Sequence, residues 1–146
     1  MNSLKAVDIA KYITEELGSM TAMKLQKLVY YSQAWSLVWD DCKLFDDPIE
    51  AWANGPVVRE LYNLHKGSYI VSSDTFSDGD ISKLSENQKD TVDTVLNAYK
   101  DKTPQWLSDQ THAERPWIEA REGLCETERG ERIISLETMA EYYGSL

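Results

Sequence analysis

The apolar residues of the first forty positions follow helical spacing in two consecutive segments. Over residues 4–17 they recur at steps of three and four, which is one face of a helix, and Gly18 follows as a natural C-terminal cap. Thr21 is a suitable N-cap for a second helix that runs to about residue 39, and positions 28–39 contain no charged residue. A helix that is apolar around most of its circumference is usually enclosed by several neighbours. We therefore predict that the second helix is the buried centre of the fold.

The pattern becomes shorter and more broken after this helix. Residues 40–52 contain two short apolar pieces around an Asp-Asp-Pro turn signal, which predicts a small β-hairpin. Pro56 follows Gly55 and fits the first position of a third helix that ends before Gly67. Residues 68–85 are rich in Ser and Asp and show no period, so we predict an exposed loop.

The second half of the chain is predicted to be helical as well. Ser85 opens a capping box with the Gln three residues later, and Thr103-Pro104 is a typical helix start. Ser135 precedes a final apolar stripe at helical spacing. These patterns predict a mainly α fold: a compact helical domain around a buried central helix, with one small β-hairpin. We expect residues 1–146 to form a single domain.

The charge of the chain is strongly acidic and unevenly distributed. The formal net charge is -10, and residues 74–146 contain sixteen acidic and eight basic residues. This field would repel a phosphate backbone, and no run of Lys or Arg provides a basic patch, so direct binding of nucleic acid is disfavoured. A basic protein partner would instead be attracted and steered toward the chain.

The sequence gives little support to membrane insertion, secretion or cofactor binding. The longest uncharged stretch, residues 28–39, is much shorter than the roughly 20 apolar residues of a spanning helix. The N-terminus has no secretory signal, so we expect a cytoplasmic protein in which the two distant cysteines, Cys42 and Cys125, are reduced. No set of metal ligands is evident, and we expect neither a metal nor another cofactor.

Three segments carry a resemblance to a known family. They are residues 20–34, which contain Lys-Leu-Gln-Lys-Leu, residues 49–62, which contain Trp-Ala-Asn-Gly-Pro-Val followed by Leu-Tyr, and Thr-His-Ala-Glu-Arg-Pro-Trp at 111–117. Together they resemble the Panacea (SocA-like, GepA-type phage-associated) antitoxin domain family, over nearly the whole chain.

The resemblance implies an antitoxin that binds and neutralises a cognate toxin encoded by a neighbouring gene, often on a prophage or another mobile element. It also implies an alternative, because one member type is a proteolytic adaptor that delivers its toxin to an ATP-dependent protease. The exposed loop at 68–85 or the C-terminal residues 142–146 would then be the tether.

Four residues are candidates for contact with such a partner: Lys24, Lys27, Trp52 and Arg59. The two lysines are three apart on the otherwise apolar second helix. With Arg59 they would engage an acidic groove, or they would simply solvate the exposed edge of the helix. Trp52 adjoins the Gly-Pro turn and is the tryptophan most expected to face the surface, although such rings more often fill a core.

Five further residues are expected to have structural roles: Gly55, Pro56, Tyr62, His112 and Trp117. The Gly-Pro pair favours a tight turn, because one Gly lacks the repeated glycines of a phosphate-binding loop. His112 and the Glu two residues later resemble the His-x-Glu of zinc deaminases, but the downstream Pro-Cys-x-x-Cys is missing. A hydrogen-bonded His112 beside Trp117 is therefore favoured over an enzyme that uses this histidine, and no catalytic residue is predicted.

Overall fold

The fold is given by a computed structural model that describes residues 4–146. The elements in chain order are α1 Ala6–Leu17, β1 Met20–Thr21, α2 Ala22–Trp39, β2 Ile49–Trp52, β3 Gly55–Val58, α3 Arg59–His65, β4 Ile70–Val71, α4 Glu86–Tyr99, α5 Pro104–His112, α6 Arg115–Ala120 and α7 Leu136–Gly144. Two short 3₁₀ helices, Ser73–Phe76 and Ile81–Lys83, lie between β4 and α4. The chain is mainly helical, as the sequence predicts.

Helix α2 is the centre of the fold, which confirms the prediction from its apolar pattern. It packs against α1, α4, α5, α7 and strand β3. Seven of its residues have no exposed surface at all: Leu25, Leu28, Val29, Tyr30, Tyr31, Ser32 and Ala34. The helix begins where expected, because the Thr21 hydroxyl accepts a hydrogen bond from the backbone N–H of Lys24.

Side-chain caps also set the starts of three later helices. The hydroxyl groups of Ser85, Thr103 and Ser135 each accept a hydrogen bond from the backbone N–H three residues later, at 3.0 to 3.2 Å. Each bond satisfies one of the N–H groups that a helix leaves free in its first turn. The predicted starts of α4, α5 and α7 are therefore confirmed.

The β-hairpin exists, but its predicted position is wrong. Strands β2 and β3 pair in antiparallel register with Trp52 opposite Gly55, and the two residues between them form the turn. Pro56 was expected at the first position of a helix and instead lies in β3, opposite Ala51. A proline is tolerated there because β3 is an edge strand: among the described residues its only strand partner is β2. Helix α3 begins three residues later, at Arg59.

Residues 40–48, expected to supply a hairpin strand, contain no strand. Side chains of α2 bind their backbone groups, and one of their own side chains binds the backbone of α1. The Gln33 amide accepts from the Leu44 N–H and donates to the Phe45 carbonyl. Asp47 accepts from the N–H of Ala6 at the start of α1. A helix side chain thus replaces the strand partner that the apolar pattern suggested.

The segment 68–85 is also different from the exposed loop that was predicted. Strand β4 pairs with β1 in a second two-stranded sheet, with Met20 opposite Val71. Phe76 in the first 3₁₀ helix is fully buried, and this helix packs against α1. The Asp8 carboxylate of α1 accepts a hydrogen bond from the Asp80 N–H at 2.7 Å. Short-range periodicity gives no sign of these contacts because each involves a residue far away in the sequence.

A buried carboxylate links the helices on the other side of α2. Glu114 is 4% exposed and lies between α5 and α6. Its Oε1 accepts hydrogen bonds from the hydroxyl groups of Tyr31 and Tyr143, and its Oε2 accepts from the Gln110 amide. Burial and the Glu114 charge raise the pKa of Tyr31, which keeps this hydroxyl a donor. The network joins α2, α5 and α7.

Replacing Gly55 by Val is expected to destabilise the protein more than replacing Gly67 by Val. Both glycines have positive φ, 121° and 88°, so either change introduces backbone strain of roughly 1–3 kcal/mol. Only at Gly55 is the space occupied, because a Cβ would lie 2.5 Å from Lys27 Cε. Urea denaturation of both variants measures the difference in free energy of unfolding. Equal losses of this free energy would show that the crowding at Gly55 is relieved without cost.

Candidate functional site

An open cavity lies between the first turns of α2, the tip of the β2–β3 hairpin, helix α3 and the segment after α6. Its volume is about 450 Å³. Its walls include Met23, Lys27, Trp52, Tyr62, His65 and Arg129. Two of the three segments that carry the family resemblance therefore meet at one opening, which makes this cavity the candidate functional site.

Lys27 is the unusual residue of the cavity because its charged side chain is buried. The residue is 2% exposed. Its Cε and Nζ lie against the Gly55 backbone, where a Cβ would be 2.5 and 3.0 Å from them. Within residues 4–146, no hydrogen bond or ion pair compensates the ammonium group. Burial therefore lowers the pKa of Lys27 from 10.5 to about 8.

Gln26, the neighbour of Lys27, fixes α2 to the hairpin and to α3. Its side-chain amide accepts a hydrogen bond from the Val58 N–H at 2.9 Å and donates to the Val58 carbonyl at 3.2 Å. The same amide nitrogen lies 3.0 Å from Nε2 of His65, which accepts because the amide NH₂ can only donate. Burial lowers the pKa of His65 and so favours the neutral ring that this contact requires.

One wall of the cavity is a stack of two aromatic rings and a guanidinium group. The Arg129 guanidinium lies 3.7 Å from the centre of the Trp52 ring and 5.2 Å from that of Tyr62. The two rings meet edge to face, with centroids 4.9 Å apart. Cation–π attraction of this kind contributes roughly 0.5–2 kcal/mol, depending on how far the cation is desolvated. Arg129 itself is exposed, so the stack brings a positive charge to the rim.

Behind Trp52, a carboxylate organises the outer surface of the hairpin. Glu50 accepts hydrogen bonds from Trp52 Nε1 at 2.8 Å and from Arg59 Nε at 2.9 Å. Burial alone would raise the pKa of Glu50, but the hydrogen bonds and the positive charges of Arg59 and Arg129 outweigh it and lower this pKa. Arg59 also binds the exposed Glu131 at 2.8 Å.

Arg121 positions the segment that carries Arg129, and the sequence analysis did not identify it. The residue is 6% exposed. Its guanidinium donates hydrogen bonds to the carbonyls of Ala51, Cys125, Glu128 and Arg129. Gly130 makes this approach possible, because a Cβ there would lie 2.7 Å from Nη1 of Arg121. An arginine that binds four carbonyls leaves no periodic signal, and the flanking acidic residues make it look like an ordinary surface charge.

The four residues predicted to contact a partner have different positions. Lys24 is half-buried outside the cavity, where its ammonium donates to the Lys100 carbonyl. Lys27 was expected to reach solvent or a partner at the helix edge and is instead buried, because α2 is enclosed on that side by the hairpin. Trp52 was expected at the surface and is 9% exposed, covered by Arg129 and Tyr62. Arg59 is partly exposed and paired.

The third resembling segment supports the hairpin turn from behind. The ring nitrogens of His112 lie 2.5 Å from the Ser108 carbonyl oxygen and 2.8 Å from that of Ala53. Trp117 packs on this ring with centroids 4.1 Å apart and donates from Nε1 to the Trp52 carbonyl at 2.8 Å. Both side chains therefore hold the backbone of the turn, the hydrogen-bonded arrangement that the sequence favoured.

In residues 4–146, no group of three or more His, Cys, Asp or Glu side chains is placed to hold a metal ion. No helix in the same range is both long and apolar enough to cross a membrane.

Replacing Lys27 by Met is expected to stabilise the protein at pH 7 by on the order of 3 kcal/mol, because a fall in pKa from 10.5 to about 8 opposes folding of the protonated form. The wild type binds fewer protons when folded than when unfolded between these pH values, so its stability rises with pH there. The advantage of Lys27→Met should therefore shrink between pH 8 and 10.5 in urea denaturation. Lys24→Met is the matched control. If the difference in free energy of unfolding between Lys27→Met and the wild type does not change with pH, the Lys27 charge is not uncompensated.

Replacing Arg59 by Glu is expected to lower the melting temperature. Glu50, whose side chain is 12% exposed, would lose its charged partner and face a like charge. Arg115→Glu is the matched control, because the partners of Arg115, Glu119 and Glu141, are 50% and 73% exposed. If Arg59→Glu and Arg115→Glu lower the melting temperature equally, the burial of Glu50 does not determine the loss of stability.

Comparison with known proteins identifies a family. A family model described as antitoxin SocA-like, Panacea domain, matches residues 25–118. The match runs from the first turn of α2 to α6, a narrower range than the resemblance suggested, and it leaves Arg121 and Arg129 outside. No curated protein and no solved structure matches the chain. Because the family model spans more than half of the sequence and contains the hairpin, His112 and Trp117, the chain belongs to the SocA-like antitoxin family with a Panacea domain.

Proposed function

We propose that the protein is an antitoxin that neutralises a cognate toxin by direct, stoichiometric binding and has no catalytic activity of its own. The observation that carries this proposal is the match of residues 25–118 to the SocA-like antitoxin family. An antitoxin of this kind needs a surface that recognises another protein, and the cavity with its rim is the part of the described surface best suited to that role.

The rim of the cavity has the composition of a protein-binding surface. Trp, Tyr and Arg dominate the energetics of interfaces, because they bury large areas and combine an apolar body with polar groups. Trp52, Tyr62 and Arg129 form one stack there, and Arg59 adjoins it with its side chain 34% exposed. The net charge of -10 would in addition steer a basic toxin toward the chain.

The adaptor alternative has less support from the fold. The segment 68–85 is held by β1 and α1, although Tyr69 and Ile70 remain exposed at 78% and 52%. Near the C-terminus, Tyr143 is 1% exposed and belongs to the core, so only the exposed residues 144–146 of the second expected tether remain accessible. A degradation assay separates the two functions: with an adaptor, the toxin is degraded faster by an ATP-dependent protease when this protein is present, whereas a sequestering antitoxin leaves that rate unchanged.

Co-expression with the product of the neighbouring gene tests the proposal. We expect that product to inhibit growth, and we expect this protein to restore growth and to co-purify with it in an equimolar complex. Arg129→Glu should weaken rescue and co-purification, because it reverses the charge at the rim. Lys83→Glu makes the same charge change at an exposed site outside the cavity and should rescue fully. Lack of rescue by the wild-type protein would overturn the proposal, and equal rescue by both variants would remove the rim from the interface.

A further inference from the structure

The cavity contains a charge whose partner is missing from the described protein. Lys27 is 2% exposed, and its ammonium has no hydrogen-bond acceptor or carboxylate among residues 4–146. Lysine is rarely buried in this way without a partner, since an uncompensated charge in an apolar environment is unfavourable. A Met or Leu would fill the same space on α2 at lower cost. The position therefore suits an anion that enters the cavity from outside.

The buried carboxylate of the hairpin, Glu50, is already engaged elsewhere. Both oxygens of Glu50 are occupied, Oε1 by Trp52 and by Nη2 of Arg59, and Oε2 by Nε of Arg59. The other titratable or charged side chains on the cavity wall are Tyr62, His65, which is held as an acceptor by Gln26, and Arg129, which is a second cation. The two charged side chains that line the cavity, Lys27 and Arg129, are therefore both cations, although the chain as a whole is acidic.

The remaining wall is suited to an apolar group. Met23, Trp52, Val57 and Tyr62 line the cavity. A volume of about 450 Å³ lies within the usual range of ligand sites, roughly 300–1,000 Å³. The opening therefore offers an apolar slot with a cation on its floor and another at its rim, a geometry that suits one end of an amphipathic acid.

We infer that this cavity is a binding site for a carboxylate carried on an apolar body, with the Lys27 ammonium as its counter-ion and the ring of Trp52 beside the apolar part. The inference concerns the cavity itself and does not depend on the proposed antitoxin role. Such a carboxylate belongs either to a free organic acid or to an acidic side chain of a partner polypeptide, and the chemistry at Lys27 is the same for both.

The first measurement uses 3-phenylpropionate and its neutral analogue 3-phenylpropanamide as probes, titrated into the full chain and followed by NMR. We expect the acid to bind about ten-fold more tightly than the amide, because a charge-assisted hydrogen bond is worth about this factor. Lys27→Met should abolish the preference for the acid, whereas Lys24→Met should keep it. Binding of the acid should also raise the pKa of Lys27, read from the ¹³Cε shift, which a merely structural lysine would not show.

The second measurement distinguishes the two sources. Acetyl-Phe-Glu-Phe-amide and the same peptide with Gln in place of Glu replace the small probes. Tighter binding of the Glu peptide than of the free acid supports a partner side chain, and the reverse order supports a free organic acid. The inference is overturned if no acid binds at millimolar concentration, or if Lys27→Met, shown to be folded by its spectrum, still prefers the acid. The growth-rescue experiment tests the proposed antitoxin function and uses none of these probes. Its outcome is therefore independent of whether the cavity binds a carboxylate.

Discussion

Helix α2 is enclosed over its middle part, from Leu25 to Ala34, and the polar side chains there therefore have to find partners inside the protein. Gln33 binds the backbone of residues 44 and 45, Tyr31 donates to Glu114, and Gln26 binds both backbone groups of Val58. Each of these contacts fixes a different neighbour. The loop before the hairpin, the C-terminal helices and the hairpin itself are all oriented by polar groups of a single helix, and the apolar packing then fills the space between them.

Lys27 is the exception among the polar residues described on the buried part of this helix. It lies beside Gln26, which is fully bonded, and next to Gly55, whose positive φ and missing side chain leave room for the lysine stem. An apolar side chain of similar size would fill this place without the unfavourable burial of a charge. The unfavourable burial of the ammonium is understandable if the native cavity is completed by an anion, because a compensating charge would turn a destabilising group into a specific contact.

The sequence predicted the elements that depend on local patterns and missed those that depend on distant contacts. Helix α2 and its cap at Thr21 follow from spacing and from one hydroxyl. The position of the hairpin does not, because Gln33 removes the expected first strand from pairing. In the site, the sequence indicated Trp52 and Lys27 as important residues, but it did not predict that both are buried. Arg121 escaped notice altogether, since an arginine bound to backbone carbonyls looks like a solvated one in the sequence.

The acidic net charge of the chain and the two cations that line the cavity act over different distances, so they do not oppose each other. At physiological ionic strength exposed charges are screened beyond about 8 Å, and the net charge of -10 influences mainly the approach of a partner. Inside the cavity the Lys27 side chain is 2% exposed, so its charge acts at short range and is screened less than an exposed charge. A basic protein would thus be attracted to the surface as a whole. Recognition at the hairpin would require an acidic group on the same partner or on a separate ligand, which is a stricter condition than charge attraction alone.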